Sequence, residues 1–254
     1  MPTPALGARE RRRLAPLAAA LARAADPAAG ARLEPVAGDL PRGARAGLLA
    51  GTFNPFTRAH AALAVAGHRR GLDRVVLAMA PVSLDKERLE RAHPIDRLDW
   101  TRDWARDHDW AVAAVASRPL LVDMAEALGG LTGAPVVLLL GTDKAAQLVD
   151  ARYYDDLGAA IARLDRAATL LVADRSGHAL PALPLRFARL ATPGWVPERS
   201  ATEARAAAAA GRPLRGLLPA AVARAAERTG AYDMDSTRYL ARAQSLDTLL
   251  AQAR

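Results

Sequence analysis

The stretch AGLLAGTFNPFTRAH, residues 46–60, joins an apolar run to an Asn-Pro turn and then to the predicted start of a helix near Thr57. The apolar run reads as a buried strand ending at Gly51, where the missing side chain lets a ligand approach the backbone. The N–H groups and dipole of a helix N-terminus attract anions. His60 lies on the first helical turn, on the same face as Thr57. The stretch therefore predicts a phosphate site that combines backbone amides, a hydroxyl and an imidazole.

Four further apolar runs follow at intervals typical of a parallel sheet. Like residues 46–51, they are continuous rather than alternating, which indicates strands buried on both faces. They span residues 74–81, 110–117, 134–141 and 168–175. The segments between them are long enough for crossover helices. The sequence thus predicts an α/β fold, a doubly wound parallel sheet of five strands with its ligand at the carboxyl ends of the strands.

An N-terminal extension, residues 1–44, precedes this predicted domain. The basic run RERRR is followed by Leu14, Leu17, Leu21 and Ala25 at helical spacing. We expect an amphipathic helix packed on the domain rather than a signal peptide, because Arg23 interrupts the apolar segment early. A linker rich in Pro and Gly is predicted over residues 26–45.

A helical tail is predicted after the last strand. Ser200 is a candidate N-cap with Glu203 three residues on, and residues 219–230 open with Pro and close on Gly. Residues 233–254 are predicted to add one more helix, so the domain itself is expected to span residues 45–232.

Composition narrows the class of protein. The chain has no cysteine, which excludes a disulfide scaffold, a thiol nucleophile and a Cys-based zinc site and makes the cytosol the natural compartment. No segment reaches the roughly 18 apolar residues of a membrane span. The net charge of +8 suits an acidic partner, yet the one dense basic run lacks interleaved aromatic residues, so nucleic acid is not the expected ligand.

The segment GTFNPFTRAH resembles the H/T-x-G-H signature of the nucleotidylyltransferase superfamily, in the form found in nicotinate- or nicotinamide-mononucleotide adenylyltransferases. A second segment, RSATEAR at residues 199–205, is similar to the I-S-S-T-x-x-R signature of that family. Ser200, Thr202 and Arg205 match it, whereas Arg199 and Ala201 depart from it. Hydroxyls at a helix N-terminus with an arginine fork suit the β- and γ-phosphates of ATP.

Other parts of the site are implied by this resemblance. LLLGTDK is similar to the G-x-D step of the family, with Gly141 for close backbone approach and Asp143 for ribose or base contacts. Thr52 and Phe53 fall in the first nucleotide-binding segment, and Lys86 is a candidate phosphate contact. Trp110 and Tyr154 are candidates for stacking on a pyridine ring, with packing in the core or an interface as the alternative for both.

The resemblance implies attack by the 5′-phosphate of a pyridine mononucleotide on the α-phosphate of ATP. A phosphate monoester with a second pKa near 6 is already largely dianionic at neutral pH, so no general base is required. His60, Thr57 and Arg205 are the expected catalytic residues, acting through charge stabilisation. Mg²⁺ is expected to bind mainly through ATP phosphates, with no metal ligand assigned to the chain.

Three alternatives stay open on the sequence. The chain could serve a different phosphorylated acceptor or CTP, it could be a nucleotide-binding relative that has lost catalysis, or its basic surface could bind nucleic acid. The motifs do not determine whether nicotinate or nicotinamide is preferred. They also do not determine the oligomeric state, and a homo-oligomer is compatible with the sequence.

Overall fold

A computed structural model describes residues 6–26, 28, 30–81, 92–235 and 237–254 of the chain. These residues form one seven-stranded sheet with helices on both faces. The strands are β1 Leu33–Ala37, β2 Ala46–Gly51, β3 Arg74–Met79, β4 Ala111–Ala116, β5 Val136–Gly141, β6 Ala168–Ala173 and β7 Phe187–Arg189. The α-helices are α1 Ala8–Ala24, α2 Arg58–Arg69, α3 Pro94–Arg106, α4 Leu121–Thr132, α5 Thr142–Gln147, α6 Leu157–Ala167, α7 Ala201–Ala209, α8 Ala220–Thr229 and α9 Thr237–Gln252.

The strand order is β1-β4-β3-β2-β5-β6-β7, and every neighbouring pair except β1–β4 is parallel. From β2 the chain winds outward first through β3 and β4 and then, on the other side, through β5, β6 and β7. The order therefore reverses between β2 and β5, and a crevice at their carboxyl ends is where such sheets bind ligands.

The predicted α/β class and all five predicted strands are confirmed, but the sheet has seven strands rather than five. The two additional strands lie at the two edges of the sheet. Strand β1 falls inside the predicted linker, residues 26–45, and pairs antiparallel with β4. Strand β7 has only three residues, too few for an apolar run to show in the sequence.

Apolar side chains form a core on each face of the sheet. One core packs α1, α2, α3, α8 and α9 through residues such as Leu14, Leu63, Leu98, Val222 and Leu246. The other packs α4, α5 and α6 through residues such as Leu128, Ala145 and Leu164. Complete burial of a leucine side chain contributes roughly 1.5–3 kcal/mol.

The terminal helices are part of the first of these cores. Leu14, Leu17 and Leu21 are buried as the helical spacing predicts, whereas Ala25 is exposed and forms the C-cap of α1. Helix α9 is tied to α3 by a buried ion pair, in which Arg242 donates from Nη2 to Asp96 Oδ1 at 2.6 Å and from Nε to Oδ2 at 2.9 Å. Among the described residues, no helix combines the length and apolar character that crossing a membrane requires.

Candidate active site

A cleft of about 170 Å³ opens at the carboxyl ends of β2 and β5, where the strand order reverses. It brings together seven residues predicted from the sequence to form the site: Gly51, Thr52, Phe53, Thr57, His60, Gly141 and Asp143. Ser200, 140 positions after His60 in the chain, lines the same cleft. The fold therefore joins the two sequence motifs at one place.

His60 is held by a reciprocal cap at the N-terminus of α2. Thr57 is the N-cap, its Oγ1 accepting from the His60 backbone N–H at 3.3 Å. In return, the Thr57 backbone N–H donates to His60 Nδ1 at 2.9 Å. A backbone N–H can only donate, so Nδ1 must accept, and the proton of the neutral imidazole is on Nε2.

The surroundings of His60 keep its imidazole neutral. Burial and the nearby positive charge of Arg175 lower the pKa of His60 to about 4. The rings of Phe53 and Phe56 lie 5.2 and 5.6 Å from the imidazole and fix its plane. The result at neutral pH is an oriented, uncharged hydrogen-bond donor in the wall of the cleft.

Thr57 and Phe53 line the cleft, and their side chains also support His60. Both residues are only 1% exposed, and the Thr57 hydroxyl is engaged by the cap. Phe53 adopts a positive φ of 44°, unusual for a bulky residue, and its ring packs against the Cα of Gly51. The sequence predicted direct ligand contacts for both residues, whereas their geometry suits positioning.

Three donors from distant parts of the chain hold the turn between β2 and α2. Arg97 of α3 donates from Nη1 to the Thr52 carbonyl at 2.7 Å, and Arg205 of α7 donates from Nη1 to the Asn54 carbonyl at 2.7 Å. The Tyr232 hydroxyl donates to Asn54 Oδ1 at 2.7 Å. Asn54 is followed by a cis peptide bond to Pro55. The turn is therefore anchored by side chains from outside its own strand and helix.

Helix α7 closes the cleft on the side opposite α2. Ser200 is its N-cap, and Ser200 Oγ accepts from the Glu203 N–H at 3.0 Å, as the sequence predicted. Thr202 and Arg205, also predicted to bind phosphate, do not line the cleft. They contact each other, with Arg205 Nη2 3.1 Å from Thr202 Oγ1, and Arg205 contacts the turn between β2 and α2 through the Asn54 carbonyl.

Helix α5, which begins directly after β5, places Asp143 and Lys144 in the cleft. A side chain at Gly141 would collide with Asp143 Oδ1 and lie 2.7 Å from Arg175 Cγ, so glycine is required by these neighbours. Lys144 donates to Gln147 Oε1 at 2.8 Å. The groups that approach Gly141 closely are the side chains of Asp143 in α5 and of Arg175 after β6, and close approach of a ligand stays a prediction.

Arg175 and Lys144 were missed from the sequence, as was the contribution of Arg199. Arg175 lies two residues after the end of β6 and donates from Nη1 to the carbonyls of Val196 and Arg199, and its Nε lies 3.9 Å from Asp143 Oδ1. Its position at the carboxyl end of a predicted strand was the available signal. The same rule applies to Lys144, which follows the predicted Asp143.

The two residues predicted to stack on a pyridine ring lie at different distances from the cleft. Tyr154 lines a small second cavity of about 30 Å³ that shares Gly51, Thr52 and Lys144 with the main cleft. Trp110 instead precedes β4 at the amino end of the sheet, where it stacks on His68 at 4.7 Å. The structure therefore does not bring Trp110 to the cleft, and Lys86 lies outside the described residues.

The charges of the cleft favour a polyanion. Lys144, Arg175 and Arg199 line it, and Asp143 is the one carboxylate among the described residues that do so. No cluster of three or more His, Asp or Glu side chains with metal-binding geometry occurs in the described ranges. Fold and site together define a doubly wound α/β protein with a positively charged cleft at the place where the strand order reverses.

Comparisons with known proteins find similar chains among the solved structures. No family model and no curated protein matches the chain. The solved structure "The Crystal Structure of a Putative Nicotinate-nucleotide Adenylyltransferase from Vibrio parahaemolyticus" is similar to it over 74% of this chain and 94% of that one, at 13% identity and a TM-score of 0.48. At this identity and TM-score the similarity says nothing of function, which has to be inferred from the site.

Proposed function

We propose that the chain transfers the adenylyl group of ATP to the 5′-phosphate of nicotinate or nicotinamide mononucleotide, releasing pyrophosphate. The single observation that carries the proposal is the state of His60, neutral and with its proton on Nε2, in a cleft rich in cations. Such a donor suits the α-phosphate, where negative charge develops during transfer.

The chemistry requires positioning more than proton transfer. The acceptor phosphate is largely dianionic at pH 7, and His60 Nδ1 is occupied by the Thr57 N–H, so the imidazole is suited to donate rather than to abstract a proton. The chain would then accelerate the reaction by aligning two polyanions and by neutralising their charge.

Separate elements would hold the two ends of the triphosphate. His60 and the first amides of α2 would bind near the α-phosphate, while Ser200 and the N-terminus of α7 would bind the departing pyrophosphate. Lys144 and Arg175 supply positive charge between them. Arg205 would act on the same region through the Asn54 carbonyl.

The acceptor would lie beside the second cavity, whose volume of about 30 Å³ holds only a small part of a mononucleotide. Tyr154 and Met124 line it, and it meets the main cleft at Thr52, which would place the acceptor phosphate near the α-phosphate of ATP. Tyr154 is then the candidate for stacking on the pyridine ring. The contact proposed for Lys86 is retained as part of this hypothesis.

Mg²⁺ would arrive with ATP and neutralise charge on its phosphates. Asp143, partly exposed at the end of β5, is the carboxylate within the described cleft that could reach a water of such an ion. The donor set therefore fits an ion held mainly by the nucleotide rather than by the chain.

Pyrophosphate release with ATP and Mg²⁺ tests the proposal, with nicotinate mononucleotide, nicotinamide mononucleotide and phosphopantetheine compared as acceptors. We expect release with a pyridine mononucleotide, and a loss of about 10²-fold or more in His60→Ala. His68→Ala, on the same helix but outside the cleft lining, is the matched control and should keep wild-type turnover.

Other outcomes would select an alternative. Release with phosphopantetheine alone would reassign the acceptor. No pyrophosphate release with any of the three acceptors, despite measurable ATP binding, would favour a nucleotide-binding protein without catalysis.

A further inference from the structure

Helix α2 presents a second concave surface, distinct from the cleft. One groove of about 550 Å³ runs along Arg58, Ala62, Val65 and Arg69, which recur at helical spacing, and its opposite wall includes Trp195. An adjoining groove of about 570 Å³ shares Arg69 and Arg70 with the first. We refer to the two together as the basic groove.

The floor of the second part is the sheet itself. Val137, Thr169 and Leu171 of β5 and β6 line it directly, so no helix of the described ranges covers this portion of the sheet face. Phe187 of β7, one of the exposed large hydrophobic residues, lies beside them and is 44% exposed. In a doubly wound sheet, a helix would ordinarily cover such a face.

The charge of the basic groove has a single sign. Six arginines line it and, among the described residues, no Asp or Glu does: Arg45, Arg58, Arg69, Arg70, Arg186 and Arg189. Arg186 lies 3.6 Å from Asp165, and Arg189 pairs with Asp174. Within the part of the chain that the structure describes, the other four form no ion pair with a carboxylate, although Arg45 and Arg58 contact backbone carbonyls.

We propose that the basic groove docks an acidic amphipathic helix of a partner protein. An apolar stripe on that helix would cover the Ala, Val and Leu side chains of the floor, and flanking carboxylates would meet the arginines of the rim. This is the helix-in-groove mode of recognition, with charge complementarity specifying the partner. The docked helix would cover the part of β5 and β6 that lines the groove.

The observations favour this occupant over nucleic acid or a second copy of the chain. Single-stranded nucleic acid stacks successive bases on several open aromatic faces, but the Arg58 guanidinium covers Trp195 at 4.8 Å and Trp104 is only 7% exposed. Among the described lining residues this leaves Phe187 as the one exposed Phe, Tyr or Trp ring. Two copies meeting groove to groove would bring like-charged arginines together. Neither objection applies to an acidic amphipathic helix.

A synthetic helical peptide of about 18 residues, long enough to span roughly 27 Å, tests the inference. It carries leucines at i, i+3, i+4 and i+7 and glutamates beside them, and its binding to the full chain is followed by calorimetry and by the fluorescence of Trp104 and Trp195. We expect a dissociation constant on the order of micromolar that weakens with added salt. The double variant Arg69→Ser/Arg70→Ser should weaken binding about tenfold or more. Ala62→Glu places a larger, negatively charged side chain in the apolar lining of the groove and should abolish binding.

Matched controls separate docking from general attraction. Arg9→Ser/Arg12→Ser removes the same charge from exposed positions on α1 and should leave binding within about twofold. A peptide with serine in place of leucine should bind much more weakly. Equal weakening in both double variants, equal binding of the serine peptide, competition by a single-stranded oligonucleotide of higher affinity, or no binding would each overturn the inference.

Discussion

The guanidinium of Arg97 joins the ends of two strands, because Nη1 donates to the Thr52 carbonyl at 2.7 Å and Nη2 donates to the Pro81 carbonyl at 3.3 Å. Arg97 is only 1% exposed, and burial lowers its pKa. One buried side chain of α3 thus ties Thr52, just after β2, to Pro81, just after β3.

Replacing Arg97 should therefore affect both stability and the site. Arg97→Met nearly keeps the volume of the side chain, but the carbonyls of Thr52 and Pro81 lose their donor. We therefore expect the free energy of unfolding to fall by about 1–3 kcal/mol. Urea denaturation measures it. Arg106→Met, on the same helix with a side chain 57% exposed, should change stability by less than about 0.5 kcal/mol. Equal effects in the two variants would show that the Arg97 contacts contribute nothing.

Stability should depend on pH through His60. Its native pKa is about 4, against about 6.5 for an unfolded histidine, so between these values the unfolded state binds a proton that the native state does not. The free energy of unfolding should consequently fall as pH decreases through this window. Denaturation at pH 7.5 and at about pH 4.5 should show a smaller loss for His60→Asn than for the wild type. Identical losses would contradict the lowered pKa of His60.

Gly141 should be intolerant of a methyl group for a local reason. Its Cβ would displace Asp143 and Arg175, so Gly141→Ala should cost about 1–3 kcal/mol and reduce turnover in the proposed reaction. Gly130→Ala in α4 provides the contrast, since nothing lies within 4 Å of its Cβ, and it should gain roughly 0.5–1 kcal/mol. Thermal denaturation of the two variants decides. A stable, active Gly141→Ala chain would show that these loops rearrange without consequence.

The buried pair of Arg242 and Asp96 should make α9 essential to the fold. Arg242→Met leaves the Asp96 carboxylate buried with the Tyr239 hydroxyl as its remaining hydrogen-bond donor among the described residues, which typically costs about 3–5 kcal/mol. Arg238→Met removes a pair that is largely exposed and should cost less than about 1 kcal/mol. Urea unfolding compares the two. Similar small losses would mean that α9 contributes little to the stability of α3.

The sequence predicted what depends on local pattern. Continuous apolar runs located five strands, and the spacing of Thr57 and His60 located their shared helical turn, because both follow from the geometry of a single element. Ser200 was predicted as an N-cap on the same basis. The domain boundaries at residues 45 and 232 stay predictions.

Contacts between distant segments were beyond the pattern. Tyr232 and Asn54 are 178 residues apart, and Arg97 and Thr52 are 45 apart, so no local periodicity relates them. Strand β1 was missed because Glu34 and Pro35 interrupt its apolar character and its partner β4 lies far along the chain. Trp110 was predicted to stack on the pyridine ring, but it precedes β4 and so lies at the amino end of that strand, whereas the cleft lies at the carboxyl ends of β2 and β5.

The two edge strands, β1 and β7, also affect the tendency of the protein to aggregate at high concentration. Strand β1 contains Pro35, which lacks a backbone donor, and its register shifts between Pro35 and Ala37. Strand β7 at the other edge offers only three residues. Neither edge provides a long, regular row of amides and carbonyls on which another strand could add. The same two strands that complicate prediction from sequence therefore protect the sheet against edge-to-edge aggregation.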